Sequence, residues 1–207
     1  IKKKGKINVG RFTDLCLYGL NGYYIKKNPI GSKNDFITAP EISQMFGEIL
    51  GSFIIDYWKE KINSDFNLIE LGPGTGTLIS DIIRVGKINI DFINFMELSL
   101  IEKNKNLINL QKKNLENINF IDVKWFEEFT FSETKKPSII YSNEFFDCFP
   151  VRQFYKKEYW YEKLIFYNKS QKNFSFISEK VLNYKTIDFL KKFDEVKVAE
   201  ISESRNN

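Results

Sequence analysis

The period of apolar and polar positions changes several times along the chain, and each change marks an element. Leu68 to Leu71 is an apolar run with one acid, Glu70, and reads as a strand. It runs into Gly72-Pro73-Gly74-Thr75-Gly76. A helical pattern then begins at Thr77, with Leu78, Ile79, Ile82 and Ile83 on one side. Upstream, Thr38 and Glu41 stand three apart as a capping box, and Pro40 suits a first helical turn, so a helix is expected from about Ala39. Its stripe is Ile42, Phe46, Ile49, Phe53 and Tyr57, widened by Met45, Leu50 and Ile54. That stripe is expected to lie against the sheet.

Downstream, Asp91 to Glu97 reads as a second strand, Ser99 to Leu115 as a helix, Phe120 to Val123 as a third strand and Ser138 to Ser142 as a fourth. Strands alternating with helices give an α/β fold with a parallel sheet. Near the start, Arg11 to Tyr24 reads as a short helix ended by Asn21-Gly22. After Pro150 the pattern shifts to short β-rich runs, Val151–Tyr155, Tyr159–Tyr167 and Phe174–Ile177, which predict an antiparallel insertion. A helix over Tyr184–Phe193 and a strand over Val196–Ile201 complete the expectation.

Composition narrows the chemistry. The chain has 207 residues, enough for one domain with a sizeable core. Its net charge of +4 is too mild to argue for nucleic acid, which needs a clustered basic face. It contains no histidine, which removes His general bases, Ser-His-Asp triads and His-ligated metals. Two cysteines, Cys16 and Cys148, cannot form a zinc site by themselves and are expected to stay reduced, so no metal is expected. No run of 18 apolar residues predicts a membrane span, and no secretory signal is visible; residue 1 is Ile and not Met, so the true N-terminus is expected to be missing.

The glycine turn carries the candidate chemistry. Glycine tolerates φ > 0 and lets a ligand lie close to the backbone, and the free N–H groups of the next helix point at the same place. The dinucleotide fingerprint G-x-G-x-x-G fits Gly72 and Gly74, but its third position is Thr77, and Gly76 comes one residue early. An acid before the turn, Glu70, suits a ligand with an amino group and a hydroxylated sugar, such as S-adenosylmethionine. Glu97, at the end of the expected second strand, would accept ribose hydroxyls. Asp122 and Trp125, around the third strand, would flank an adenine. The fourth strand delivers Asn143-Glu144-Phe145-Phe146-Asp147 to the same cleft, and two acids three apart suit a guanidinium. The plain alternatives are a ligand-free strand–helix turn, a solvated acid at Glu97, core packing by Trp125 and a helix cap at Asn143–Asp147.

The spacing Glu70-x-Gly72-x-Gly74-x-Gly76 resembles the first motif of class I methyltransferases. Taken with residues 35–48 (Asp-Phe-Ile-Thr-Ala-Pro-Glu-Ile-Ser-Gln-Met-Phe-Gly-Glu), Glu97-Leu-Ser99, residues 143–151 with Gln153-Phe154, and Trp160-x-Glu162, the chain resembles the MidA family of S-adenosylmethionine-dependent methyltransferases. Thr75 departs from a common arginine, and Met96 from a usual valine. The resemblance implies a Rossmann-like class I methyltransferase sheet with an antiparallel β insertion. Only four strands are counted, so the sheet is expected to be C-terminally truncated. The implied domains are residues 1–150, the cofactor-binding core, and 151–207, the insertion with the start of the remaining core.

The implied activity is protein-arginine methylation linked to respiratory complex I assembly, because the family includes a mitochondrial assembly factor with that activity. Cofactor binding would fall to Glu70, Gly72, Gly74, Gly76, Glu97, Asp122 and Trp125. Catalysis would fall to Asn143, Glu144 and Asp147, and closure over the site to Asp35, Thr38 and Glu41. The partner would be an arginine-bearing protein such as a respiratory-chain subunit, without nucleic acid. The compartment would be the bacterial cytoplasm or the mitochondrial matrix. A methyltransferase on another nucleophile, a non-catalytic assembly factor and a nicotinamide-dependent oxidoreductase remain as alternatives.

Overall fold

Asn8 ends a strand and caps a helix at once. Strand β1 (Lys6–Asn8) passes directly into α1 (Val9–Tyr18), and Asn8 Oδ1 accepts from the Arg11 N–H at 2.7 Å. The helix stops at Tyr18, earlier than Asn21-Gly22, because Gly19 is already extended at φ −63°, ψ 168°. The computed structural model describes residues 5–23, 38–118, 120–130 and 136–193. They fall into two units, residues 28–147 in one and residues 1–27 with 148–207 in the other. Asp35 and the strand expected at Val196–Ile201 lie outside the described residues.

The unit of residues 28–147 is the α/β part. In chain order it holds α2 (Ala39–Ile42), α3 (Gln44–Lys61), β2 (Phe66–Leu71), α4 (Thr77–Gly86), α5 (Ile90–Phe95), β3 (Met96–Ile101), α6 (Lys105–Asn114), β4 (Val123–Phe126) and β5 (Ser138–Ser142). The four strands form one parallel sheet in the order β4-β3-β2-β5, so the chain's first parallel strand lies inside it. Its apolar core gathers Ile54, Ile55 and Trp58 of α3, Leu68 of β2, Ile79, Ile82 and Ile83 of α4, and Leu98 and Leu100 of β3. Trp58 closes the core edge-on to Phe92 with ring centroids 5.6 Å apart, and its indole N–H donates to the Ser64 carbonyl at 3.0 Å.

Helix α2 begins at Ala39 with proline in its first turn, as the sequence predicts, but the capping box does not close. Thr38 makes no side-chain cap, and Ser43, extended at φ −146°, separates α2 from α3. The buried face of α3 also differs from the expected stripe. It consists of Gly47, Gly51, Ile54, Ile55 and Trp58, while Ile42 is 73% and Phe53 66% exposed. The two glycines explain the rotation. A Cβ on Gly47 would lie 2.5 Å from Asp81 Cβ, and one on Gly51 would lie 3.1 Å from Ile82 Cα. The helices α3 and α4 therefore meet almost backbone to backbone. Glycine adds nothing to a hydrophobic period, so the close-packed face is silent in the sequence.

The second parallel strand starts later than expected. Asp91–Phe95 belongs to α5, where Asn89 Oδ1 caps the Phe92 N–H at 3.3 Å. The cleaner alternation, Met96, Leu98 and Leu100 inward, forms β3. The third strand is likewise shifted, from the expected Phe120–Val123 to Val123–Phe126.

The other unit joins β1 and α1 to an antiparallel sheet of β6 (Phe154–Lys156), β7 (Trp160–Asn168) and β8 (Asn173–Lys180), followed by α7 (Tyr184–Lys191). Long β7 pairs with β1, β6 and β8, all antiparallel, which is the β insertion read from the sequence. Trp160 and Glu162 lie on β7. Glu162 pairs with Arg152 through two bonds, at 2.7 and 2.8 Å, and the guanidinium also lies over Phe154, 4.8 Å from its centroid. No helix among the described residues is long and apolar enough to cross a membrane.

Candidate functional site

In an open parallel sheet the crevice outside the carboxyl ends of the strands is the place where loops can meet a ligand. The register fixes which residues arrive there. Leu71 pairs with Ile101 on one side and with Ser142 on the other. The next residues are therefore Gly72, Glu102 and Asn143, side by side. The Gly72 N–H donates to the Ile101 carbonyl at 3.0 Å, and the Glu102 N–H to the Phe126 carbonyl at 2.9 Å.

The turn after β2 is built on left-handed backbone. Gly72, Gly74 and Gly76 have φ of +66°, +55° and +81°, a region that side-chain-bearing residues rarely adopt. Gly76 is also the N-cap of α4. Two side chains of α6 tie the turn down from outside. The Gln111 side-chain amide donates to the Gly74 carbonyl at 2.8 Å, and the Asn114 amide to the Thr75 carbonyl at 2.9 Å. Gln111 is wholly buried, and its own oxygen accepts from the Trp125 indole at 3.0 Å. Both of its ends are satisfied, as a buried amide requires. Trp125, on β4, therefore acts on the turn through Gln111, and Lys112 Nζ lies 5.2 Å from its ring centroid.

Glu70 sits beneath the turn and is 2% exposed. Its Oε2 accepts from the Tyr141 hydroxyl at 3.1 Å, joining β2 to β5 across the sheet. Burial pushes its pKa up to about 8, against the lowering effect of the Tyr141 bond. Glu70 thus holds its proton at neutral pH. It supports the turn from within the fold.

Glu41 comes to the turn from α2. Its Oε1 accepts from the Thr75 hydroxyl at 3.1 Å, and that hydroxyl is 2.9 Å from the Thr77 hydroxyl. Its Oε2 is buried and has no hydrogen-bond partner among the described residues. Thr38, half-buried, stands three residues before it. On the β5 side, Asn143 is half-buried, and Glu144 and Asp147 are exposed. Glu144 has φ +48°, a conformation uncommon outside glycine and often found at working sites. Between them, Phe145 covers Gly72: a Cβ there would lie 2.4 Å from the ring.

The structure thus brings together Gly72, Gly74, Gly76 and Glu41, with the Asn143–Asp147 segment reaching the turn through Asn143 and Phe145, Glu70 below and Trp125 behind. Two expected residues are elsewhere. Glu97 pairs with Asn67 near the start of β3, at the amino end of the sheet. There it bonds to Lys136 and lies 3.5 Å from Lys124, and the Lys136 bond chiefly lowers its pKa. Asp122 is exposed and precedes β4, so it too lies at the amino end. Both were misplaced because their strands begin several residues later than read.

The acid at the carboxyl end of β3 is Glu102. Its Oε1 accepts from the Asn104 N–H at 2.8 Å. Burial raises its pKa, partly offset by backbone N–H groups of Asn104 and Lys103 and by Gln111. Glu102 and Gln111 were both missed. The signal for Gln111 was a lone polar residue on an apolar helical stripe, between Leu107 and Leu115. No group of three or more metal-ligating side chains occurs among the described residues.

Comparison with known proteins finds relatives of this chain. The family model for S-adenosyl-L-methionine-dependent methyltransferases matches residues 49–206. The chain is 35% identical over 193 residues to the mitochondrial protein arginine methyltransferase NDUFAF7 of Bos taurus, covering 80% of this chain and 43% of that protein. It is 34% identical over 183 residues to the Homo sapiens counterpart, covering 75% and 40%. A crystal structure from Burkholderia thailandensis, bound to S-adenosyl-homocysteine, superposes with a TM-score of 0.70 at 21% identity, covering 93% of this chain and 50% of that one. The chain therefore spans less than half the length of these two curated relatives.

Proposed function

The chain belongs to the S-adenosyl-L-methionine-dependent methyltransferase family, and from that premise we propose that the carboxyl end of its parallel sheet binds S-adenosylmethionine for methyl transfer to a protein arginine. One observation carries the reading: three left-handed glycines, Glu102 and the Asn143–Asp147 segment follow directly on strands held in register. The unpartnered, buried Glu41 oxygen beside the turn also fits a ligand that brings a donor. The bovine and human relatives are protein arginine methyltransferases, which supports the arginine acceptor, and they are mitochondrial, which supports the mitochondrial matrix if the source is eukaryotic; a bacterial source would place the chain in the cytoplasm. A respiratory-chain subunit is the proposed acceptor. The cofactor role is assigned to the unit of residues 28–147, within the expected domain 1–150, and the insertion to residues 151–207.

S-adenosylmethionine, when bound, supplies a methyl group already activated by its sulfonium. The chain's task is alignment and charge balance. Glycines without Cβ atoms let the backbone lie against the ligand. Glu102 accepts the ribose hydroxyls, while Gln111, held by Trp125, fixes the turn. Glu144 and Asp147 orient the guanidinium, whose planar fork matches carboxylates, and Asn143 lines the mouth. Both carboxylates are exposed, so the proton leaving the nitrogen has a route to water.

Incubation of the full-length protein with methyl-tritiated cofactor and fractionated cell extract tests the proposal. Label is expected in protein, released as methylarginine on hydrolysis; label confined to RNA or small molecules rejects the arginine acceptor. Absence of any cofactor affinity by calorimetry favours a non-catalytic assembly role, and NADH binding favours the oxidoreductase.

Two substitutions separate the acids. Glu102→Gln is expected to weaken S-adenosyl-homocysteine binding about tenfold or more, since it removes a charged acceptor. Glu97→Gln, at the far end of the sheet, is expected to leave it unchanged. The reverse ranking by calorimetry would restore Glu97 to the site. Glu144→Gln is expected to keep cofactor affinity and lower methyl transfer by about a hundredfold. Undiminished transfer would make that acid structural.

A further inference from the structure

We infer that Glu41 receives the α-ammonium group of the cofactor's amino-acid moiety, so that a helix outside the sheet reads the charged head of the ligand. The inference rests on the cofactor reading above.

Three features of Glu41 carry it. First, the residue is released from local capping. Thr38 makes no side-chain cap on α2, and the Glu41 side chain reaches the glycine turn instead. Second, one carboxylate oxygen is anchored there by the Thr75 hydroxyl at 3.1 Å, itself 2.9 Å from the Thr77 hydroxyl. These two hydroxyls are already engaged, with each other and with Oε1. Third, Oε2 is buried and has no partner among the described residues. A carboxylate offers about four lone-pair sites, and leaving a buried one empty is costly. No described residue supplies the missing donor.

The chemistry of the ligand selects the group that does. A carboxylate repels the ligand's own carboxylate. The adenosyl hydroxyls have their acid in Glu102, which follows β3, the neighbour of β2. Of the donors left, the adenine amino group is neutral and the ammonium is a cation with three N–H bonds, so a carboxylate selects the ammonium.

The test is a cycle of two proteins and two ligands, read by calorimetry on the full chain. The ligands are S-adenosyl-homocysteine and its desamino analogue, and the proteins are the parent and Glu41→Gln. The parent is expected to prefer S-adenosyl-homocysteine by roughly 10- to 100-fold, the worth of a charge-assisted bond. Glu41→Gln is expected to bind both ligands within about threefold of each other. A variant that keeps the full preference overturns the inference and leaves the cofactor reading standing. A variant that weakens both ligands equally also overturns it, making Glu41 a support of the turn. A parent that binds neither ligand overturns the cofactor reading itself. If Glu41→Gln melts early, Glu41→Asp is read in the same cycle, because the shorter arm withdraws the acceptor; an undiminished preference there overturns the inference too.

Discussion

Gly72→Ala is expected to abolish cofactor binding and to lower the melting temperature. Two costs coincide at this position. The residue has φ +66°, where a Cβ is penalised by about 1–2 kcal/mol. That Cβ would also lie 2.4 Å from Phe145 Cδ2 and 3.0 Å from Cε2, so the ring must move. Phe145 stands between Glu144 and Asp147, and displacing it shifts the whole segment after β5. The loss therefore reaches both the ligand's resting place and the residues assigned to the guanidinium. Calorimetry with S-adenosyl-homocysteine should show affinity reduced by at least about a hundredfold. Affinity within threefold of the parent would mean that the turn is not the binding surface. Gly74→Val, at φ +55°, is expected to act in the same direction by filling the ligand's space.

The second large effect concerns pH. Glu70 has its pKa raised from 4.5 to about 8 by burial. The unfolded chain releases this proton near pH 4.5, while the folded chain keeps it until about pH 8. The stability contributed by the protonated group is complete below pH 4.5 and is lost as pH rises toward 8, after which the slope ends. The change is on the order of a few kcal/mol, since each pKa unit is worth about 1.4 kcal/mol. Glu70→Gln keeps the shape and the acceptor for the Tyr141 hydroxyl but has no proton to lose. Urea midpoints at pH 5, 6.5 and 8.5 should fall more steeply in the parent than in the variant. The variant should be the more stable of the two at pH 8.5. Parallel slopes would show that Glu70 is ionised in the folded state at neutral pH.

Much of this architecture is legible from the chain alone, for identifiable reasons. The β2–turn–α4 unit could be read because Leu68–Leu71, three glycines and the Leu78/Ile79/Ile82/Ile83 face are local signals that agree with one another. The fourth parallel strand, at Ser138–Ser142, is bounded by proline and followed by polar residues, and it fell where expected. The antiparallel insertion announced itself by short aromatic runs between polar turns.

The failures had a different origin. Asp-Phe-Ile-Asn-Phe and Met-Glu-Leu-Ser-Leu compete as strands, and an asparagine cap at Asn89 decides for helix in the first. That shift of a few residues exchanged Glu102 for Glu97, because an acid's place in a parallel sheet depends on which end of the strand it occupies. The Gly47/Gly51 face of α3 could not be found from hydrophobic periodicity, since its packing residues have no side chains. Gln111 reads as an interruption until the carbonyl it bonds is known.

The seam between α3 and α4 has a consequence for ligand kinetics. With Gly47 and Gly51 seated against Asp81 and Ile82, a side chain at either position would collide with α4. The 3.1 Å bond from the Thr75 hydroxyl to Glu41 Oε1 lies just ahead of this seam. Association of a nucleoside ligand should then follow one exponential in stopped-flow traces, with no slower rearrangement arising from this pair. Gly47→Ala, by wedging the seam open, should introduce such a lag.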